Sequence, residues 1–339
     1  MKNKNSLSRR NFLTKSALSA GAVGLGLVQV QGAGLKSTEK ESSECRSPRE
    51  PLVLSVTIEK IDKNRNIPEQ MIERMLVTAT YKPDLICLPE AFSTTPETAE
   101  TVPGPTVNIF SNYAKKHQCY VICPIHARKN GKIYNTAVLI DREGKVIGMY
   151  DKIYPTEGEI DAGVTPGNLT PPVFKTDFGT IGILICFDVN WIDAWRKLKE
   201  QGAEIIFWTA AYPAGRMLPS YAWMFQYYVV GCSRRDPALI YDMSGDLITS
   251  SGTYEHWALA SLNLEKIFCE IDFHVKKVKQ IRKKYGRKVR IVYYNNEDWV
   301  TIESRSSDLT IKQLIDEFGL VSHHDYINRA EAYQNKYRK

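Results

Sequence analysis

Cys186 is the residue whose type and position are best suited to chemistry. It ends the apolar run at 182–185 and precedes a segment in which a helix is expected to begin. The thiolate is the nucleophilic form of cysteine, and the N–H groups at a helix start lower a thiol pKa from its usual value of about 8.5. The position therefore predicts a reactive thiol, although cysteine is also among the most frequently buried residue types.

Two charged residues also follow predicted strands. Glu90 comes directly after an apolar run at 85–89, and Lys152 comes just after another run at 146–150. A charge at the end of a buried strand is costly unless it faces solvent, a cleft or an opposite charge. For either residue alone, a solvated surface position is a sufficient explanation. Their function depends on whether the fold brings them close to Cys186.

The elements that would position these residues follow from the hydrophobic pattern. Asn66 with Glu69 three residues later is typical of a helix start, and Asn130-Gly131 is typical of a β-hairpin. Strand pairs separated by helices favour an α/β fold of stacked sheets covered by helices over a purely parallel sheet. Helices are predicted at 66–79, around 107–114 and at 190–201, and strands at 52–58, 84–89, 119–127, 133–141, 146–150, 180–187, 203–209, 227–233, 238–243, 247–250 and 258–264.

Together, Glu90, Lys152 and Cys186 resemble the Glu–Lys–Cys triad of the nitrilase superfamily of carbon–nitrogen hydrolases. The resemblance extends over residues 52–264 and depends on segments that occur in the same order, each at the end of a strand. These segments read DLICLPE at 84–90, YDKIYPTEGE at 150–159, GILICFD at 182–188 and GAEII at 202–206.

This resemblance implies a four-layer α-β-β-α sandwich of the α/β class, usually assembled as a homodimer or a higher homo-oligomer. It implies an amidase-like hydrolase that cleaves a non-peptide carbon–nitrogen bond through a thioester on Cys186. Glu90 would be the general base for the thiol, while Lys152 and the backbone N–H of Phe187 would stabilise the developing charge. No metal or other cofactor is implied, and the six histidines include no His-x-x-x-His pair.

The resemblance also implies a second glutamate that orients the lysine or the attacking water. The seven-residue spacing from Lys152 favours Glu159 over Glu157 for this role. The chain departs from the family pattern at 191–193, where many members have aromatic-Pro-Glu, and at 232–233, where an asparagine is common; both departures leave the substrate open. Three aromatic residues are expected in the substrate pocket, although core positions would explain them equally well: Tyr154, Trp208 and Tyr212.

The amino-terminal residues 1–33 resemble a twin-arginine export signal. Arg9-Arg10 and Phe12 precede a mildly apolar, glycine-containing run at 17–30, and the segment has five basic residues and no acidic one. Without it, the charge falls from +7 to +2, with 40 basic and 38 acidic residues, so charge gives no indication of nucleic-acid binding. We expect recognition by the twin-arginine export machinery and a location in the periplasm or outside the cell.

The remaining organisation is a polar linker at 34–50, a hydrolase domain at 51–268 and a carboxy-terminal extension at 269–339. We expect the extension to wrap around the domain or to contact another subunit. Its basic run lacks the pattern of a nucleic-acid motif, so the expected partner is a small amide or nitrile substrate and not a nucleic acid. The alternatives are a nitrilase and a non-catalytic binding protein on the same fold.

Overall fold

The computed structural model describes residues 49–338. The strands are β1 (Leu52–Val56), β2 (Leu85–Cys87), β3 (Tyr120–Lys129), β4 (Lys132–Ile140), β5 (Val146–Asp151), β6 (Val173–Lys175), β7 (Thr180–Ile185), β8 (Ile205–Ala210), β9 (Tyr228–Ser233), β10 (Leu239–Tyr241), β11 (Leu247–Ser250), β12 (Trp257–Ser261), β13 (Lys266–Glu270), β14 (Val289–Tyr294) and β15 (Trp299–Ser304). The helices are α1 (Ile67–Val77), α2 (Pro105–His117), α3 (Glu157–Asp161), α4 (Ile192–Glu200), α5 (Met217–Phe225), α6 (Val275–Tyr285), α7 (Ile311–Phe318) and α8 (His323–Asn335).

Two six-stranded sheets form the centre of the fold. Their strand orders are β12-β1-β2-β3-β4-β5 and β11-β10-β9-β8-β7-β6. In each sheet three central strands run parallel, β1-β2-β3 in the first and β7-β8-β9 in the second. Parallel neighbours align their carboxyl ends at one edge, which is where loops can bring functional side chains together.

The two sheets pack face to face, and helices cover their outer faces. One hydrophobic cluster contains Leu85 and Ile122 from the first sheet together with Ile183 and Phe207 from the second. A separate cluster joins the first sheet to Met71 of α1 and to residues of α2. These layers confirm the predicted four-layer α-β-β-α sandwich.

Local sequence signals explain how several elements begin. The Asn66 side chain accepts a hydrogen bond from the Glu69 N–H and caps α1, as predicted. The hairpin between β3 and β4 turns at Asn130 and Gly131, both with positive φ. Several elements are shorter than predicted: β2 covers only Leu85–Cys87, β7 ends at Ile185, and α4 begins at Ile192. Before α4 the chain makes a separate 3₁₀ turn at Cys186–Asn190.

The carboxy-terminal residues form a compact α/β unit. Its three-stranded sheet has the order β13-β15-β14, so the predicted boundary between 268 and 269 falls inside β13. Helices α6 and α7 pack on this sheet through a hydrophobic cluster of their own, which includes Val278, Ile302 and Leu314. The sequence could not locate this boundary, because β12 of the sandwich is followed by β13 of the three-stranded sheet without a recognisable linker between these two hydrophobic strands. A contact with another subunit remains a prediction.

The proposed export signal at 1–33 and almost all of the linker at 34–50 lie outside the described residues. Within residues 49–338, no helix combines the length and the apolar character needed to cross a bilayer.

Candidate active site

Four polar residues from different parts of the chain meet in one cavity of about 460 Å³, whose lining includes Glu90, Lys152, Glu159 and Cys186. Glu90 follows β2, Lys152 follows β5, and Cys186 follows β7. The two sheets thus bring together the ends of three strands that are separated by up to 96 positions in the sequence.

Lys152 is the centre of a buried ion-pair network. Its Nζ donates to Glu90 Oε1 at 2.9 Å and to Glu159 Oε2 at 2.7 Å, and its side chain is only 1% exposed. Burial opposes the charge, but the carboxylates of Glu90 and Glu159 outweigh it and raise the pKa of Lys152 above its ordinary value. Lys152 is therefore a fixed cation inside the cavity.

Glu159 is held in place by its own helix as well as by Lys152. It occupies the third position of α3, where its side chain accepts from the Thr156 N–H at 2.8 Å and its N–H donates to Thr156 Oγ1 at 3.2 Å. This reciprocal pair is a capping box. Burial acts to raise the pKa of Glu159, yet the neighbouring Lys152 ammonium lowers it overall. Glu157, the alternative left open by the spacing, is exposed.

Asn135 connects the two carboxylates and was not singled out from the sequence. Its Nδ2 lies 2.8 Å from Glu90 Oε1 and 2.8 Å from Glu159 Oε1. Its Oδ1 is buried and has no hydrogen-bond partner among the described residues. The only signal in the sequence is an asparagine inside the apolar strand β4, where this residue type is unfavourable.

Cys186 stands at a sharp turn between β7 and the following 3₁₀ turn. Its φ is +45°, an uncommon value for a residue other than glycine, and its carbonyl accepts from Trp208 Nε1 at 3.0 Å. The backbone N–H of Ala211 acts to lower the pKa of the Cys186 thiol. The expected lowering of the thiol pKa is wrong, because burial and the negative charge of Glu90 raise the pKa of Cys186 to about 12.

Asp188 shapes this turn from inside the protein. Its carboxylate accepts from the Ile185 N–H at 2.8 Å, from the Tyr150 hydroxyl at 2.6 Å and from the Tyr154 N–H at 2.9 Å. Burial raises the pKa of Asp188 to about 7. Phe187 is the second residue of the turn, where a backbone N–H has no carbonyl partner within the turn itself. Phe187 is not among the residues that line the cavity, and its N–H as an oxyanion donor remains a prediction from the resemblance.

The three aromatic residues expected in the pocket lie in different environments. Trp208 is fully buried and supports the Cys186 carbonyl, so its assignment to substrate binding is wrong. Tyr154 stacks on Trp191 at 4.0 Å and is not among the residues that line the cavity. Tyr212 packs edge-on against Trp208 and, like Tyr154, is not among the residues that line the cavity. Trp208 packs in the core and does not face the cavity, because its indole has a large apolar area to bury.

Several polar residues of the cavity were missed by sequence reasoning. Arg234 lies one residue beyond β9, where its Nε donates to the Glu90 carbonyl at 2.7 Å and its Nη2 to the Ala91 carbonyl at 3.0 Å. His126 on β3 and Thr94 also line the cavity, and the His126 N–H donates to Thr94 Oγ1 at 2.7 Å. No motif marks these positions, because they become neighbours only when separate strands pair.

No group of three or more histidine, cysteine, aspartate or glutamate side chains within residues 49–338 is arranged to hold a metal ion. The expectation that the protein needs no metal or other cofactor remains a prediction from the resemblance.

Comparisons with known proteins agree with this architecture. The carbon-nitrogen hydrolase family model matches residues 53–267. Deaminated glutathione amidase of Synechocystis sp. is 27% identical, over 54% of this chain and 81% of that protein. Beta-ureidopropionase of Arabidopsis thaliana is 29% identical, over 50% of this chain and 47% of that protein. The crystal structure of an amidase from Nesterenkonia sp. has a TM-score of 0.55 and covers 64% of this chain and 90% of that one; at 16% identity it shows the fold alone.

Because the family model spans more than half of the sequence, this chain belongs to the carbon–nitrogen hydrolase family and is an enzyme of that class.

Proposed function

We propose that the protein is an amidase that hydrolyses a small amide through a thioester on Cys186. The observation that carries this proposal is the convergence of Glu90, Lys152, Glu159 and Cys186 on one cavity. The name of the Synechocystis relative, an amidase, supports the same reaction class.

In the first half of the reaction, Glu90 takes the proton of the Cys186 thiol while the sulfur attacks the amide carbon. A base is needed because burial and the Glu90 charge raise the pKa of the Cys186 thiol, so little thiolate is present at pH 7. The carbonyl oxygen becomes an oxyanion, which the Lys152 ammonium and the Phe187 N–H stabilise. The protonated Glu90 then gives its proton to the nitrogen, and ammonia or an amine leaves.

In the second half, water attacks the thioester and Glu90 takes a proton from that water. The tetrahedral intermediate collapses, the carbon–sulfur bond breaks, and the sulfur regains a proton as the carboxylic acid leaves. Glu159 keeps Lys152 in position throughout, because its own position is set by the capping box of α3. The cycle uses no redox step and returns every group to its starting protonation state.

Replacement of Cys186 with alanine tests the proposal. We expect ammonia release from a panel of small amides to fall by at least about 10³-fold, because the thioester cannot form. Cys269→Ala is the matched control, since Cys269 is buried in the carboxy-terminal unit and does not line the cavity. Undiminished turnover by the Cys186 variant would refute the mechanism.

The same panel separates the competing functions. Nitriles included in the assay would be turned over faster than amides if the protein were a nitrilase. Mass spectrometry of the wild type quenched during turnover should show an acyl group on Cys186. A protein that binds amides without acylation or ammonia release would be a non-catalytic binder.

We also propose that residues 1–33 direct export by the twin-arginine route to the periplasm or beyond. The proposal is supported by Arg9-Arg10, the following Phe12 and the apolar run at 17–30. The paired change Arg9→Lys and Arg10→Lys should retain the protein in the cytoplasmic fraction of a bacterial host with this export system. The control Lys2→Arg with Lys4→Arg should not change its location, and equal export of the two variants would refute the proposal.

A further inference from the structure

A second cavity of about 540 Å³ lies next to the candidate active site. Ala211 and Arg234 line both cavities. Cys186 and Ala211 line the first cavity together. The second cavity therefore adjoins the cavity that contains the thiol to which an acyl group would be bonded.

The wall of this second cavity has an excess of positive charge. Its charged lining residues are Lys60, Lys63, Arg234, Arg235 and a single acid, Glu59. The side chains of Lys63 and Arg235 have no hydrogen-bond or ion-pair partner within residues 49–338, and the Lys60 Nζ contacts only the Thr253 carbonyl, at 3.5 Å. Unpaired cations around a concave surface concentrate positive potential inside it.

Arg234 is fixed at the boundary between the two cavities. Its Nε and Nη2 are held by the carbonyls of Glu90 and Ala91, whereas its Nη1 has no partner in the part of the chain that the structure describes. A guanidinium that is already oriented loses little conformational entropy when it binds a carboxylate. The rest of the wall is apolar and can contact a short methylene chain: Ile58, Ile61, Ile67 and Phe92.

We propose that the second cavity is a subsite for a carboxylate at the far end of the amide substrate. This inference rests on the proposed amidase function and specifies its substrate class: small amides that carry a second, ionised carboxyl group. The amide carbon lies at Cys186, a short aliphatic segment passes Ala211 and Arg234, and the carboxylate reaches the cationic wall.

The test compares amides that differ only in this charge. Succinamate, glutaramate and adipamate carry the carboxylate on the acyl side, butyramide, valeramide and hexanamide are their neutral counterparts, and N-acetyl-β-alanine carries it on the leaving group. We expect kcat/KM of the wild type to be at least about tenfold higher for a carboxylate-bearing amide than for a neutral one, with a KM that rises with salt because charges are screened.

The variant Lys63→Gln/Arg235→Gln removes two of the cationic side chains without touching Glu90, Lys152 or Cys186. We expect the KM for the preferred anionic amide to rise about tenfold, with kcat and the neutral-amide parameters within about twofold. Arg287→Gln, an exposed arginine of the carboxy-terminal unit, is the matched control and should leave all parameters unchanged.

The outcomes separate this inference from the function on which it rests. If the wild type hydrolyses none of the amides, the proposed function fails. If it hydrolyses neutral and anionic amides equally, or if the double variant weakens both alike, the subsite is refuted while the amidase function stands. Calorimetric titration of succinamate into Cys186→Ala, with and without the double change, measures the binding contribution without turnover and should show the same roughly tenfold loss.

Discussion

Glu90 has two opposing effects on the thiol that it is proposed to activate. Its carboxylate accepts hydrogen bonds from Lys152 and Asn135, which hold the proposed base in place. The same negative charge, together with burial, raises the pKa of Cys186. In the proposed mechanism we therefore expect the thiol to be neutral at rest and to lose its proton as the sulfur attacks the substrate, not before.

Glu90→Gln should consequently change activity and thiol acidity in different ways. We expect kcat/KM to fall by at least about 10²-fold, because the base is lost. The pKa of Cys186 should fall as well, since a neutral amide no longer repels the thiolate. The rate of Cys186 alkylation by iodoacetamide as a function of pH, followed by peptide mass spectrometry, reports this pKa. Glu143→Gln, an exposed acid, is the control, and a higher Cys186 pKa in Glu90→Gln would contradict the electrostatic account.

Asn135 is a positioning residue that spaces two carboxylates around one lysine. Asn135→Ala should lower kcat by about 10- to 100-fold with little change in KM, because Glu90 and Glu159 each lose a hydrogen-bond donor. Asn135→Asp should be more damaging, since a third carboxylate would repel the other two. The exposed Asn108→Ala on α2 is the control. An aspartate variant more active than the alanine variant would contradict this role.

At the scale of elements, α3 shows how a short helix positions a functional group. It has only five residues, too few to be stable alone, but its capping box also sets the Glu159 carboxylate against Lys152. The sequence contains the capping-box pattern Thr-x-x-Glu at 156–159, but no helix was predicted there, because proline and glycine residues surround it. The connection to Lys152 additionally requires the end of β5 to lie next to that helix.

Glu159→Gln separates the helix cap from the ion pair, because glutamine can still accept from the Thr156 N–H. The folded-state pKa of Glu159 lies below its unfolded value, so its stabilisation is present above about pH 4.5 and is lost as pH falls through the folded value. We expect the variant to be less stable by about 2 kcal/mol at pH 7 and the difference to shrink below about pH 4.5. Urea denaturation at several pH values measures this, and Glu157→Gln on the same helix should show no such trend. A stability difference between Glu159→Gln and the wild type that grows as pH falls would contradict the stabilising ion pair between Glu159 and Lys152.

At the scale of the whole molecule, an aromatic cluster joins the carboxy-terminal unit to the sandwich. Trp223 of α5 stacks on Trp299 of β15, with ring centroids 4.3 Å apart. Phe268 and Tyr294 pack edge-on against Trp223. None of these residues lines the candidate active site. The cluster therefore contributes to stability separately from the catalytic geometry.

Trp299→Ala should accordingly destabilise the protein by about 2–4 kcal/mol through lost burial and stacking. The kcat/KM of the folded variant should remain within about twofold of the wild type, because no cavity residue is touched. Thermal or urea unfolding alongside amide hydrolysis checks both parts. Tyr254→Ala, a side chain 97% exposed, should change stability by less than about 0.5 kcal/mol. Loss of activity without loss of stability in the Trp299 variant would contradict this separation.

The alternation of strands and helices in the sequence indicated stacked sheets covered by helices, because apolar periodicity and turn chemistry act locally, whereas the four-layer sandwich was predicted from the family resemblance. The same local signals identified Glu90, Lys152 and Cys186 as residues at strand ends. Only the tertiary structure decided that Asn135 bridges two carboxylates, that Trp208 is fully buried, and that a cationic cavity adjoins the thiol. It also decided the direction of the Cys186 pKa shift, since burial and the Glu90 charge outweigh the lowering by the Lys152 ammonium and the Ala211 N–H. The physical reason is that burial and electrostatic environment depend on residues distant in sequence, whose proximity exists only once the two sheets have packed.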